Sequence, residues 1–184
     1  TENTSYVFNT GDTGYPEHIY WGRRIKNPVF SISALSEKHL KAPTMSTISD
    51  RSYNEFSLDD TLLEFSTEGR GDYRTPFIAV SFGDKGDRTL DLRYESFAIH
   101  PGIVRFKGAK MPQAVAGTND AETLEVTYRD KSRNIRLVTY YTSFYSSDTI
   151  TRRSVVFNDS DSTLNIRSIA SSQIDFRAIE VDIT

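Results

Sequence analysis

The chain has 184 residues, 22 basic and 25 acidic side chains, a net charge of -3 and 37% hydrophobic residues. That charge is too small and too mixed for a nucleic-acid or anionic-membrane binder, and no apolar run is long enough to span a bilayer. Zero cysteines exclude disulfides, thiol nucleophiles and thiolate metal sites, and the length suits one domain with a real core. Residues 4–8 and 18–25 flank Gly11-Asp12-Thr13-Gly14 and predict a first hairpin, whose second strand, HIYWGRRI, carries the only tryptophan, Trp21. Residues 26–50, with Pro28 and Pro43, read as a long loop with a short helical turn near residues 35–40. Aperiodic stretches of this length are often functional or pack on a partner.

Residues 56–65, FSLDDTLLEF, read as a short strand or turn leading into 66–74. Residues 75–82 form a strand with Pro76 near its start, where a missing N–H is tolerated. Residues 83–86 make a hairpin turn, 88–99 a strand or bent pair of strands, and Pro101-Gly102 a break, followed by a loop over 107–120. The clearest segment follows. Residues 122–129, 134–145 and 149–158 alternate apolar and polar positions, with Leu124, Val126 and Tyr128 on one side of the first strand. Polar turns at 130–133 and 146–148 separate them. Period-two alternation with β-branched and aromatic residues is the signature of antiparallel strands with one buried face. Residues 163–169 with 173–176 read as a further, bulged strand, and 178–184 as another. About a dozen short strands and few or no helices predict an all-β fold, a large two-sheet antiparallel β-sandwich occupying residues 1–184 as one domain.

Short motifs resolve mostly to structure. Arg70-Gly71-Asp72 is an adhesion tripeptide by composition, but a tight glycine turn explains it better. Asp159-Ser160-Asp161-Ser162 resembles half of a calcium loop, yet it lacks the glycine and terminal glutamate and reads as an Asx turn. His18, His39 and His100 are dispersed, with no metal-site spacing. No GxSxG elbow and no phosphate loop occurs. Asp59-Asp60 and Asp87 with Asp91 read as solvated turn residues rather than a catalytic pair. Asn3 and Asn158 open glycosylation sequons that matter only in a secreted chain. The opening TENTSYVFN has neither a basic nor an apolar leader segment, which, with the absent cysteines, points to the cytoplasm.

HIYWGRRI (18–25), FSLDDTLLEF…GRGDYRTP (56–76), Asp91-Leu92-Arg93-Tyr94, Ala121-Glu122-Thr123-Leu124-Glu125 and Thr149-Ile150-Thr151-Arg152-Arg153-Ser154 form an ordered set of blocks. The set resembles the N-terminal part of bacterial α-galactosidases of glycoside hydrolase family 36. The resemblance implies the family's N-terminal β-supersandwich domain. It also implies that the two catalytic aspartates lie in a downstream (β/α)8 barrel, which needs about 250 residues, so no catalytic residue is expected in this chain. In tetrameric family members the N-terminal domain of one subunit reaches the active-site mouth of a neighbour. An acidic residue and an arginine between the tryptophan strand and FSLD help to hold the substrate there. Those positions fall on Glu37 and Arg51. Tyr73 and Arg74, in the family-like DYRTP segment, face the barrel or a neighbouring subunit. The implied parent is a retaining α-galactosidase acting on melibiose- or raffinose-type oligosaccharides, with no cofactor and no metal.

An alternative from another class is a free-standing carbohydrate-binding β-sandwich using exposed aromatics such as Trp21. Trp21 lies on an alternating strand beside Tyr20, so a core or interface position is the competing reading. A domain that packs on a barrel and on neighbouring subunits should also expose a large apolar patch when considered alone.

Overall fold

The computed structural model describes residues 1–26, 56–83, 86–106, 111–117 and 119–176, and among them eight strands and no helix. The three alternating segments form the centre of the fold. They are β5 (Ala121–Asp130), β6 (Ile135–Phe144) and β7 (Thr149–Asn158), joined by tight turns, with β4 (Arg93–Pro101) on the other side of β5. The resulting antiparallel sheet has the order β4-β5-β6-β7. Across it, Leu124 pairs with Tyr141 and Tyr141 with Arg152, while Tyr128 pairs with Leu137 and Leu137 with Val156. These rows share one face because side chains alternate with a period of two.

That face is covered by two smaller antiparallel sheets. One pairs β3 (Ile78–Phe82) with β8 (Leu164–Ile169), and the other pairs β1 (Thr4–Asn9) with β2 (Glu17–Arg23). Val126, Tyr128, Ile135, Leu137 and Tyr141 meet Phe65, Phe77, Ile78, Val80, Phe82, Leu90 and Leu92 in one core, with Tyr6 and Phe8 packed against it. Each such fully buried large side chain contributes about 1.5–3 kcal/mol. The architecture is the all-β two-layer sandwich expected from the sequence.

Three details depart from the alternation. Thr123, Thr127, Val138 and Thr142, which pair across the opposite face, are buried as well, so the middle of the large sheet is covered on both faces rather than one. Residues 102–106 and 111–114 lie against its outer side: Thr123 Oγ1 donates to the Gly102 carbonyl, and Phe106 packs edge-on against Tyr140. The strand expected over 75–82 begins only at Ile78, two residues after Pro76, and the stretch ahead of β4 is irregular although Leu90 and Leu92 are fully buried. Residues 173–176 do not continue β8. The expected strand at 178–184 lies outside the described residues.

The N-terminus is fastened to the β6–β7 turn. Asp148 accepts hydrogen bonds from Asn3 N and Nδ2 and from Thr1 Oγ1, at 2.6–2.7 Å. The bonds from Asn3 and then Thr1 hold its carboxyl down at about 2, from an ordinary 3.8. A depressed carboxylate stabilises the contact above its ordinary value and loses it as the pH falls through the folded value. The N-terminal residues should therefore detach between about pH 4 and pH 2. The Asn3 amide resonance should report this, and a resonance that stays fixed across that window would contradict the clamp.

Candidate functional site

The candidate site is built on the β1–β2 hairpin. Val7 pairs with Tyr20 but Phe8 pairs with His18, so Ile19 forms a bulge. A bulge shifts the alternation by one residue. Trp21 and His18, three apart, thereby come to the same side: Tyr6 packs against both rings, at 5.3 Å from His18 and 6.1 Å from Trp21. Phe176 closes over the pair, stacked on Trp21 at 6.1 Å and edge-on to His18 at 5.4 Å. Trp21 remains 53% exposed, so it is a rim aromatic and not a core residue.

Beneath this rim lies a buried polar hub. Glu64 is wholly buried, yet it is surrounded by donors. Its carboxylate accepts from Tyr6 Oη at 2.7 Å, from His18 Nδ1 at 2.7 Å and from Tyr141 Oη at 3.0 Å. The backbone is fixed too: Glu64 N donates to the Pro16 carbonyl and His18 N to the Leu62 carbonyl. Arg152, reaching in from β7, completes the hub with its Nη1 3.6 Å from the Glu64 carboxylate. Burial, and then the negative charge of Glu64, push the Tyr6, Tyr128 and Tyr141 phenols above their ordinary value. Three side-chain donors bond the wholly buried Glu64 carboxylate and a guanidinium stands beside it, so Glu64 organises the structure around it.

Between hub and surface is a pocket of about 300 Å³, lined by Tyr6, Trp21, Tyr141, Ile150, Arg152 and Ile174, with Ser171 and Ser172 at its edge. Its wall is mainly aromatic and aliphatic, with one guanidinium at its base.

The residues singled out in the sequence fall as follows. Glu37 and Arg51 lie outside the described residues. Tyr73 is 87% exposed and free to meet another surface. Arg74 is committed internally. It bonds Asp72 at 2.9 Å and the Thr61 carbonyl at 2.8 Å, and also reaches Asp175 and the Leu58 carbonyl. The Arg70-Gly71-Asp72 tripeptide is a structural turn. Gly71 sits at φ 79°, Arg70 pairs with Asp91 at 3.4 Å, and the Asp72 side chain is buried against Arg74. Nearby, Gly69 at φ 89° could not carry a side chain, because a Cβ would come 2.9 Å from the Thr89 Cα. Asp91 is not a solvated turn residue. It accepts from Tyr15 Oη at 2.7 Å and from Arg93 Nε at 3.1 Å. The Asx turn after β7 is centred on Asn158, whose Oδ1 accepts from Ser160 N, while Asp159 pairs with Arg136 and Arg129. Among the described residues no three metal-ligating side chains converge.

Residues 14–184 match the glycosyl hydrolase family 36 N-terminal domain. The chain belongs to that family. It is 29% identical over 178 residues to the alpha-galactosidase AgaA of Geobacillus stearothermophilus, covering 97% of this chain and 24% of that protein. It is 26% identical over 183 residues to the bifunctional alpha-galactosidase/sucrose kinase AgaSK of Mediterraneibacter gnavus, covering 100% of this chain and 19% of that one. In structure it superposes on the crystal structure of a variant of the Geobacillus stearothermophilus family 36 enzyme AgaA in complex with raffinose. That match has a TM-score of 0.84 and 29% identity, over 96% of this chain and 24% of the other. This family 36 domain therefore spans about a quarter or less of the relatives it matches.

Proposed function

We propose that this chain is the non-catalytic N-terminal domain of a retaining α-galactosidase. The parent would cleave terminal α-galactosyl residues from melibiose- or raffinose-type oligosaccharides by two-step displacement on a (β/α)8 barrel elsewhere in the natural polypeptide. The domain would support a homo-oligomer, a tetramer by family analogy, and line the active-site entrance of a neighbouring subunit through Glu37 and Arg51. The single observation that carries the reading is the family match over residues 14–184 together with relatives that are several times longer and named as α-galactosidases. The half-exposed Trp21 lends some support to a stand-alone sugar-binding sandwich, but Phe176 already stacks on its ring.

The test uses the native protein recovered with an antibody to this chain, reading its intact mass and its α-galactosidase activity. A mass several times 20.9 kDa with activity is the expected result. A protein near 20.9 kDa without activity overturns the reading. In the active protein, Arg51→Ala and Glu37→Ala should raise KM about tenfold or more while leaving kcat largely intact, as expected for lost hydrogen bonds from charged groups to substrate hydroxyls. An unchanged KM in both variants would remove these residues from the substrate site.

A further inference from the structure

The outer face of the large sheet carries a cleft of its own. Across β6 and β7, Tyr140 pairs with Arg153 and Thr142 with Thr151. These four side chains point away from the core that Tyr141 and Arg152 enter. Together with residues 103–106, 111–114 and 169–171 they border a cleft of about 540 Å³, a usual size for a small-ligand site. Much of its wall is apolar, with Met111 and Ile169 exposed beside Pro112. Among the described residues no carboxylate lines it.

The unpaired cation of this cleft is Arg153. Its guanidinium lies over the Phe106 ring, 3.8 Å from the centroid. Phe106 is fixed in turn. Its N–H donates to Gln113 Oε1 and its carbonyl accepts from Gln113 Nε2, both at 3.1 Å, and its ring packs edge-on against Tyr140. Glu125, in the same cross-strand row, is already taken by the Tyr140 hydroxyl and by His100 Nε2 at 2.9 Å. Arg152, the other guanidinium at the cleft, is turned to Glu64. Among the described residues Arg153 forms no ion pair and donates no side-chain hydrogen bond, although it is only partly exposed. The ring offsets part of its charge but leaves the in-plane N–H donors without an acceptor.

A half-buried guanidinium beside an apolar wall calls for a ligand that complements both. We propose that this cleft binds a small organic carboxylate with an apolar body, of the aryl or branched aliphatic kind. The carboxylate pairs with Arg153, where a guanidinium can offer two parallel bonds, with the Thr151 hydroxyl beside it on the same face. The body lies against Met111, Pro112 and Ile169. A neutral sugar would leave the cation unpaired, and a sugar phosphate would set hydroxyls against the apolar wall. The inference does not rest on the α-galactosidase reading, and activity is not its readout.

The test is calorimetric titration of the intact natural protein with phenylacetate and with its neutral amide, phenylacetamide, each repeated on Arg153→Gln. Phenylacetate should bind saturably in the millimolar range or tighter. Either loss of charge, in the probe or in the protein, should weaken binding about tenfold or more. The two losses should not add, because both remove the same pair. Met111→Ala should weaken both probes alike. An unchanged midpoint in urea shows that the Arg153→Gln fold is intact. Where that variant fails to fold, Arg153→Lys replaces it and should still weaken phenylacetate by losing the paired bonds. Equal affinity for the two probes overturns the inference. So does an affinity for phenylacetate that Arg153 variants leave unchanged, or no saturable binding of phenylacetate at all.

Discussion

Replacing Glu64 with alanine should cost about 3–5 kcal/mol of folding stability. The substitution deletes the one anion in a buried hub and leaves Tyr6, His18 and Tyr141 without their shared acceptor. It also removes the nearest counter-charge of Arg152, whose side chain is almost wholly buried. Breaking a buried ionic group by deleting one partner is the costly case, because the partner stays behind unpaired. The effect should spread beyond one strand, since the hub ties β1, β2, β6 and β7 to the segment around residue 64. Glu64→Gln should cost less than alanine, because one amide oxygen still accepts. Equilibrium denaturation in urea measures both variants through the shift in midpoint. An alanine variant within 1 kcal/mol of the parent would mean that the hub is neutral to stability. In that case the two layers would be held by apolar contacts such as Phe65 against Tyr128 and Phe8 against Tyr141.

The large sheet was legible in the sequence because its signal is local. Residues 122–129, 134–145 and 149–158 alternate within single strands, and the observed strands differ from them by a residue or so at each end. The hub was not legible in the same way. Tyr6, His18, Glu64, Tyr141 and Arg152 come from five separate segments, and no spacing rule connects them. One local sign was present: Glu64 stands inside Leu62-Leu63-Glu64-Phe65, and a carboxylate amid large apolar residues must be either turned outward or paired. The position of Trp21 was misleading for a different reason. Strict alternation places residues 18 and 21 on opposite faces, and the bulge at Ile19 reverses that. A bulge without a glycine or proline leaves no clear mark in the chain. Arg74 reads in the sequence as a contact to the barrel or a neighbour because its DYRTP segment is family-like, yet its side chain bonds Asp72 and partners at residues 58, 61 and 175 that are distant in sequence.

At alkaline pH the domain should unfold cooperatively, about two units above the point where free tyrosines ionise. Burial raises the Tyr15 phenol to about 12, helped by the hydrogen bond it donates to Asp91. Burial and the negative charge of Glu64 raise Tyr6, Tyr128 and Tyr141 above their ordinary value of 10. A phenol raised in the folded state contributes stability that is complete below its unfolded value and is lost as the pH rises through the folded one. Above about pH 10 each such group therefore lowers stability by about 1.4 kcal/mol per pH unit. Four together give a slope of about 5.6 kcal/mol per unit, enough to exhaust a typical stability of about 5–15 kcal/mol within one to three units. The phenolates of these four should appear in the absorbance only together with loss of circular dichroism. Tyr128→Phe tests the account most sharply. The Tyr128 hydroxyl is buried without a hydrogen-bond partner, so its removal should leave stability at neutral pH equal or slightly higher and flatten the alkaline slope by about a quarter. If all ten tyrosines ionise in one step while the fold stays intact, the polar hub opens to solvent far more readily than its burial implies.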